Sequence, residues 1–302
     1  MSHGKFIQAL IYCTLILFFI WVFHHFETQF RTSFSVLSWS HFLILNFLQV
    51  IIIGCGGLPF KTLCLALNIN IRFRDWLGLS FAASLLNQAL PYRPGLAFRF
   101  FYLKAHYQLN GPAFGAVSFI YLILMTLSAI VLGFLACLFS NLPTELEDKL
   151  LPALGVFSLA IMILILIKWW SKGQIIRLPG IPECHKIVQH PRYLIWSTFY
   201  VIFALLIGSL SFYLIFNEIR VPLPFSQCVF LISLLSISML VPITPGNLGI
   251  AETIIGSLTH LLYGDFTQGF MAVILFRLSQ LTVSLTLGGP FLTYFVSNKK
   301  VS

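Results

Sequence analysis

The chain has 302 residues, of which 58% are apolar and only 9% are charged. Soluble domains carry roughly 25% charged residues, so this composition excludes a soluble enzyme or binding module and predicts a membrane protein. The net charge of +9 does not imply a nucleic-acid partner, because most lysines and arginines lie in short loops, where they orient membrane helices.

Six apolar segments are long enough to cross a bilayer, which takes about 18 residues or more. They are residues 6–23, 42–58, 113–139, 150–167, 193–216 and 268–296. The first segment lacks the small-residue cleavage site of a signal peptide, so we expect it to be a retained helix. The predicted fold class is an all-α polytopic membrane protein with a single domain, residues 1–302.

Two further regions, 76–107 and 225–262, each contain a break in the helical pattern. The first break is formed by Pro91, Pro94 and Gly95, and the second by Pro242, Pro245, Gly246 and Gly249. Proline has no N–H and clashes with the preceding turn, so neither motif can lie inside a continuous helix. Backbone groups freed at membrane depth need protein or water partners, which predicts a site built from half-helices.

Each broken region is either a re-entrant hairpin or contains a first arm that crosses the bilayer. With six spans and two hairpins, twelve lysines and arginines face the cytoplasm and three face outside; with eight spans the split is eight to nine. The positive-inside rule therefore favours hairpins and cytoplasmic termini. Each half, about 1–140 and 150–302, then has three crossings, which predicts an inverted repeat whose hairpin tips meet near the midplane.

Charged residues at membrane depth are the candidate site residues. Glu252 is the one acid there, and Arg277 lies inside the last predicted span. Because an intramembrane charge costs at least ~2.5–3.5 kcal/mol, we expect these two to pair, although a paired arginine can exchange partners when an anion arrives. Arg93 and Arg99 flank the first break, where a helix beginning near Gly95 would add free N–H groups suited to a phosphate. The alternative is that Arg93 snorkels to lipid phosphates.

Polar side chains beside the breaks are expected to cap half-helix ends more than to contact a ligand. They are Asn87, Gln88, Thr244 and Asn247. Histidine and cysteine spacings match no metal site, and no nucleotide-binding or hydrolase motif is present. We therefore expect no metal, cofactor or catalytic residue.

The two break motifs resemble those of the lysylphosphatidylglycerol synthase transmembrane family, which includes the flippase half of the bacterial multiple peptide resistance factor. In the first motif Arg93, Gly95 and Arg99 match, while Leu96 stands where an acid often follows the glycine. In the second, the matching residues are Pro242, Pro245, Gly246, Leu248, Gly249 and Glu252. Asn247 replaces a glycine and Ala251 an arginine, and Arg277 resembles the downstream arginine of the family.

The resemblance implies a lipid-handling domain in a bacterial cytoplasmic (inner) membrane, with aminoacylated phosphatidylglycerol as the best-known substrate. The leading hypothesis is a flippase-like protein that is not an enzyme, in which Arg93, Arg99 and Arg277 hold the phosphate of a phospholipid or lipid-linked head group. No counterpart of the soluble aminoacyl-transferase domain is seen, so we expect no lipid synthesis by this chain alone. Alternatives are a catalytic or accessory subunit of glycolipid or aminoacyl-lipid synthesis, and a partner of a separate lipid-modifying enzyme. A homo-oligomer is left open.

Overall fold

The computed structural model describes residues 38–90, 93–140, 180–238 and 245–297, and the regular elements within these ranges are helices. They are α1 (Trp39–Ala66), α2 (Phe73–Ala89), α3 (Pro94–Tyr107), α4 (Gly111–Leu138), α5 (Ile181–Val188), α6 (Pro191–Glu218), α7 (Phe225–Ser238), α8 (Ile250–Tyr263) and α9 (Phe266–Ser297). The predicted spans at 6–23 and 150–167 lie outside the described residues, as do Pro91, Pro242 and Thr244.

Four of the described helices, α1, α4, α6 and α9, are long and apolar enough to cross a membrane. They coincide with the predicted spans at 42–58, 113–139, 193–216 and 268–296. The first three have 28 residues each and α9 has 32. At 1.5 Å per residue, all four exceed the ~30 Å hydrocarbon core of a bilayer. The prediction of an all-α polytopic membrane protein is confirmed.

The first broken region folds as a helical hairpin of α2 and α3. Near its tip the arms touch, because a Cβ on Gly95 would lie 2.3 Å from the Ala83 carbonyl oxygen. At its open end the Tyr107 hydroxyl donates to Asp75, so the hairpin begins and ends on one side. The arms have 17 and 14 residues. Their lengths of about 25 and 21 Å fall short of a bilayer, which favours a re-entrant hairpin.

The second broken region contains α7, a short 3-10 turn at Pro245–Asn247, and α8. The Asn247 amide donates to the Ser238 carbonyl at the end of α7, over 3.3 Å. At the other end, Leu262 of α8 packs in one apolar cluster with Phe230 of α7. The two arms therefore run antiparallel, and the described part of each has 14 residues.

The last span, α9, changes to a π-helical turn at Ser284–Gly288, where the first hairpin packs against it. The Ser84 and Ser284 hydroxyl oxygens lie 2.9 Å apart. A Cβ on Gly288 would lie 2.5 Å from the Phe81 carbonyl oxygen, so only glycine allows this approach of α2 to α9. Single π turns occur often at functional sites, and here the turn joins a hairpin of the first half to a span of the second.

The hairpin of each half packs against a membrane span of the other half. The hairpin arm α2 packs against α9, and its counterpart α7 packs against α4. Between them α1 and α6 lie together, with the Ser197 hydroxyl donating to the Pro59 carbonyl over 3.3 Å. The apolar core surrounds the two hairpins in two main clusters. Reciprocal packing of this kind supports the inverted repeat, which stays a prediction, as does its division at about residues 140 and 150.

Candidate functional site

The two hairpin tips meet beside α9. A Cβ on Gly246 would lie 3.4 Å from Nη1 of Arg277 and 3.5 Å from the Cα of Gln88, at the end of α2. The backbone of Gly246 has φ +55°, a left-handed conformation in which a side chain is strained. This glycine therefore allows the second tip to pass close to both α9 and the first tip.

Arg277 and Glu252 form the expected ion pair, with 2.7 Å between Nε and Oε1. The guanidinium makes three further contacts. Nη1 donates to the Gly246 carbonyl at 2.7 Å, and Nη2 donates to the Asn247 carbonyl at 2.9 Å and to Glu252 Oε2 at 3.5 Å. Of the five N–H donors of an arginine, this geometry occupies four. Arg277 therefore holds the broken backbone of the second tip and has little capacity left for a ligand.

Glu252 is equally engaged. Its side chain is only 5% exposed, and Oε2 also accepts the Gly249 N–H at 2.8 Å. This second bond is one half of a capping box at the start of α8; the other half is missing because Gly249, which has φ +84°, has no side chain. The carboxylate thus links α8, the tip and α9, so neither of its oxygens is available as an acid or base.

The amide side chains near the breaks have different roles. Asn87 accepts the Gly95 N–H at 2.9 Å, which is the capping role expected for it. Gln88 does not cap a helix. Its Nε2 donates to the hydroxyls of Ser284, at 2.8 Å, and Ser84, at 3.2 Å, so it joins α2 to α9. Asn247 accepts from Arg277 through its backbone and bonds Ser238 through its side chain.

The N-terminus of α3 corrects one expectation. We expected free N–H groups near Gly95 to bind an anion, but Pro94 occupies the first helical position and has no N–H. The Gly95 N–H is bonded to Asn87, and the Leu96 N–H donates to the Arg93 carbonyl at 3.0 Å. Arg93 itself has φ +54°, which closes this turn. Any positive charge at the first tip therefore comes mainly from side chains.

Arg93 and Arg99 both interact electrostatically with a residue that sequence reasoning missed, Tyr121. Both guanidinium groups lie within electrostatic range of the Tyr121 hydroxyl on α4. Arg99 also lies over the Phe60 ring, with 5.0 Å to the ring centre. Within the described part of the chain, neither arginine forms an ion pair, whereas Arg277 does. We call Arg93, Arg99 and Tyr121 the basic cluster.

Tyr121 had a signal in the sequence. The segment ending in Tyr121 follows the first break much as the segment ending in Arg277 follows the second. The two residues thus occupy corresponding places in the predicted repeat, and each faces the hairpin of its own half. The second half has an ion pair at this place, whereas the first half has a tyrosine that interacts electrostatically with two arginines.

Carboxylates elsewhere in the described ranges lie at helix ends. Asp75 accepts the hydroxyls of Tyr102 and Tyr107 at the open end of the first hairpin. Glu218 pairs with His41 at 3.1 Å, and Asp265 caps α9. No group of three metal-ligating side chains is found among residues 38–90, 93–140, 180–238 and 245–297.

Comparison with known protein families gives a match over most of the chain. The family model described as lysylphosphatidylglycerol synthase TM region matches residues 6–288. This is nearly the whole chain, and it is the family that the two break motifs resemble. No curated protein matches the chain.

Proposed function

Because the chain belongs to the lysylphosphatidylglycerol synthase TM family, we propose that it binds a phosphate-bearing lipid head group and moves it across the membrane. Membership of this family indicates a membrane protein of the lipid-modifying or flippase-related kind. The proposed binding site is the basic cluster, because its positive charge suits the phosphate of a lipid head group.

The observation that carries the proposal is the contrast between the two halves. Arg277 is neutralised by Glu252, whereas Arg93 and Arg99 form no ion pair within the described residues. An arginine fork suits phosphate oxygens, and the Tyr121 hydroxyl, which interacts electrostatically with both arginines, is a further possible donor. Partly buried cations lacking a carboxylate are costly in an apolar protein interior, so a phosphate would stabilise them.

The contact between the two hairpin tips is compatible with movement of one half of the protein against the other. Gly246 packs on Gln88, but no hydrogen bond between described residues joins one tip directly to the other. The first hairpin is attached to α9 through Ser284, and the second through Arg277. Rocking of one half against the other would separate the two tips and expose the basic cluster to alternate sides.

The distribution of charge supports the proposed orientation. One end of the described bundle, where α1 and α3 finish and α2, α4 and α6 begin, carries most of the lysines and arginines outside the membrane interior. They are Lys61, Arg72, Arg74, Lys104, Lys186 and Arg192. The opposite end of the described bundle carries Arg220. By the positive-inside rule, the first end is cytoplasmic.

A catalytic role is less well supported. An acid or base at membrane depth would need a free carboxylate, and Glu252 is closed off by Arg277 and Gly249. A role beside a separate lipid-modifying enzyme remains compatible with the same basic cluster, because such a partner could supply or consume the bound lipid.

Lipid movement by reconstituted protein tests the proposal. Vesicles containing acyl-chain-labelled phosphatidylglycerol report which leaflet holds the label, because a membrane-impermeant quencher reaches only the outer one. We expect label to equilibrate in vesicles with the protein, and Arg93→Gln or Arg99→Gln to slow this at least tenfold. The matched control is Arg192→Gln, since Arg192 is exposed at the start of α6. Equal rates in all four proteins would refute the assignment of the site.

A further inference from the structure

A small cavity lies between α1 and the two arms of the first hairpin. Its volume of about 10 Å³ gives room for about one water-sized group. The lining includes Gly57 and Phe60 of α1, Trp76 and Ser80 of α2, and Arg99 of α3. We propose that this cavity binds one monatomic anion, such as chloride. The site shares Arg99 with the basic cluster but goes beyond the proposed function, because it does not depend on lipid movement.

Trp76 supplies a hydrogen-bond donor that has no acceptor among the described residues. The residue is only 8% exposed, and its indole Nε1 is buried without a hydrogen-bond partner there. An indole N–H can only donate, and a buried donor that is left unpaired costs free energy. The Ser80 hydroxyl, one turn further along α2, donates to the Trp76 carbonyl at 2.7 Å. An acceptor bound in the cavity would pair with the indole N–H.

Two cations lie over rings that line the cavity. The Arg99 guanidinium is 5.0 Å from the centre of the Phe60 ring, and Lys61 Nζ is 5.5 Å from the centre of the Trp76 ring. Neither cation forms an ion pair within the described ranges. The aromatic faces attract both cations but carry no net charge themselves. The surroundings of the cavity are therefore positively charged.

The acids near the first hairpin do not neutralise this charge. Asp75 of α2 accepts the hydroxyls of two tyrosines. Glu183 of α5 has a buried Oε2 without a hydrogen-bond partner, and it forms no ion pair with a described residue. The described groups that interact electrostatically with Arg99 are Tyr121 and Cys64, neither of which is a carboxylate. A bound anion would supply the missing negative charge.

Size and charge together favour a monatomic anion. The cavity is too small for a whole phosphate, which carries four oxygens around one phosphorus atom. A water molecule would accept from the Trp76 indole but would leave the positive charge of Arg99 unchanged. Chloride is only a little larger than water, accepts from several donors at once and neutralises one positive charge. The N–H groups of Arg99 and Trp76 would then both donate to one ion.

Thermal unfolding of the purified chain in detergent tests the site, with sodium chloride replaced stepwise by sodium gluconate at constant ionic strength. Gluconate is too large for the cavity. We expect the Tm to rise with chloride and then to level off, with a rise of about 3–6 °C at tenfold above the Kd. Trp76→Phe keeps a ring but removes the N–H, so the chloride concentration that gives half of this effect should increase at least about tenfold. Trp39→Phe is the matched control, because Trp39 is 80% exposed, and it should respond like the native chain.

A second pair of variants changes the cavity wall instead of a donor. A Cβ on Gly57 would meet the Ser80 hydroxyl and lie 3.3 Å from the Trp76 ring, so Gly57→Ala should abolish the chloride response. Gly56→Ala, whose Cβ would meet nothing within 4 Å, should keep it. This pair decides the question if Trp76→Phe does not fold.

The outcomes separate this inference from the proposed function. Equal Tm values of the native chain in chloride and gluconate would overturn the anion site, and so would a native chloride response in folded Trp76→Phe or Gly57→Ala. Inorganic phosphate should give no comparable rise, and stabilisation by phosphate at lower concentration than chloride would overturn the monatomic ligand. Loss of lipid exchange in vesicles would refute lipid movement and leave the chloride site intact, whereas a missing chloride response would leave lipid movement intact.

Discussion

Replacing Glu252 by glutamine tests whether the Arg277–Glu252 pair is a structural lock. Glutamine keeps the shape of the side chain but removes its charge. Its NH₂ group would also replace one carboxylate oxygen and would face one of the N–H donors from which the carboxylate now accepts hydrogen bonds. Those donors are Nε of Arg277 at 2.7 Å and the Gly249 N–H at 2.8 Å. Hydrogen bonds to charged groups contribute about 1.5–3 kcal/mol each, and breaking a buried pair costs about 3–5 kcal/mol. We therefore expect Glu252→Gln to lower the free energy of unfolding by about 3 kcal/mol.

Thermal unfolding in detergent measures this loss. With a shift of about 2–4 °C per kcal/mol, Glu252→Gln should lower the Tm by about 6–12 °C. Arg277→Met should lower it further, because it also leaves the Gly246 and Asn247 carbonyls without their donors. Arg277→Lys should rescue only part of the loss, since one ammonium group cannot reach acceptors arranged for a planar fork.

A double variant measures the interaction energy between Glu252 and Arg277, apart from the effect of removing either side chain alone. Glu252→Met combined with Arg277→Met removes both charges, so it should be less destabilised than the sum of the two single variants by about 1–3 kcal/mol. Additive single effects, or a Glu252→Gln protein that unfolds within 1–2 °C of the native chain, would refute the reasoning.

Three further predictions follow from close contacts and unpaired groups. Gly95→Ala should lower the Tm and slow lipid exchange, because its Cβ would lie 2.3 Å from the Ala83 carbonyl oxygen; Gly115→Ala, which meets nothing within 4 Å, is the control. Gln49→Leu should raise the Tm, because this residue is 0% exposed and neither amide atom has a hydrogen-bond partner among the described residues, which costs about 1–3 kcal/mol. Tyr107→Phe should increase proteolysis near residue 107, because its hydroxyl bonds Asp75 and the Arg72 N–H.

Each of these three outcomes has an opposite that would contradict it. Equal Tm values for Gly95→Ala and Gly115→Ala would mean that α3 can move away from α2 at little cost. A lower Tm for Gln49→Leu would mean that the amide has partners, such as bound water, that stabilise the fold. Unchanged proteolysis of Tyr107→Phe would mean that the hairpin stays closed without the tyrosine.

Much of the architecture could be predicted because its signals are local. Apolar length predicted the four described spans, and proline with glycine predicted the positions of both breaks. The pairing of Arg277 with Glu252 was also predictable, because an isolated charge at membrane depth is costly and few partners were available. The family match over residues 6–288 confirms what the break motifs indicated.

Other features depend on contacts between distant residues. The expectation of free N–H groups at α3 was wrong because Asn87 and the Pro94 ring leave few of them. Gln88 was expected to cap a helix, but it bonds Ser284 across 196 residues of sequence. Tyr121 was missed because a tyrosine in an apolar span has no distinctive spacing of its own.

The sequence by itself determined that this chain spans a membrane, where its helices break and which charges lie at depth, because chain length, proline geometry and the cost of buried charge act over neighbouring residues. Only the tertiary structure decided that Arg277 is neutralised by a carboxylate, whereas Arg93 and Arg99 interact with Tyr121 and form no ion pair among the described residues. That division depends on the rotation and register of helices packed from both halves, which no local pattern specifies.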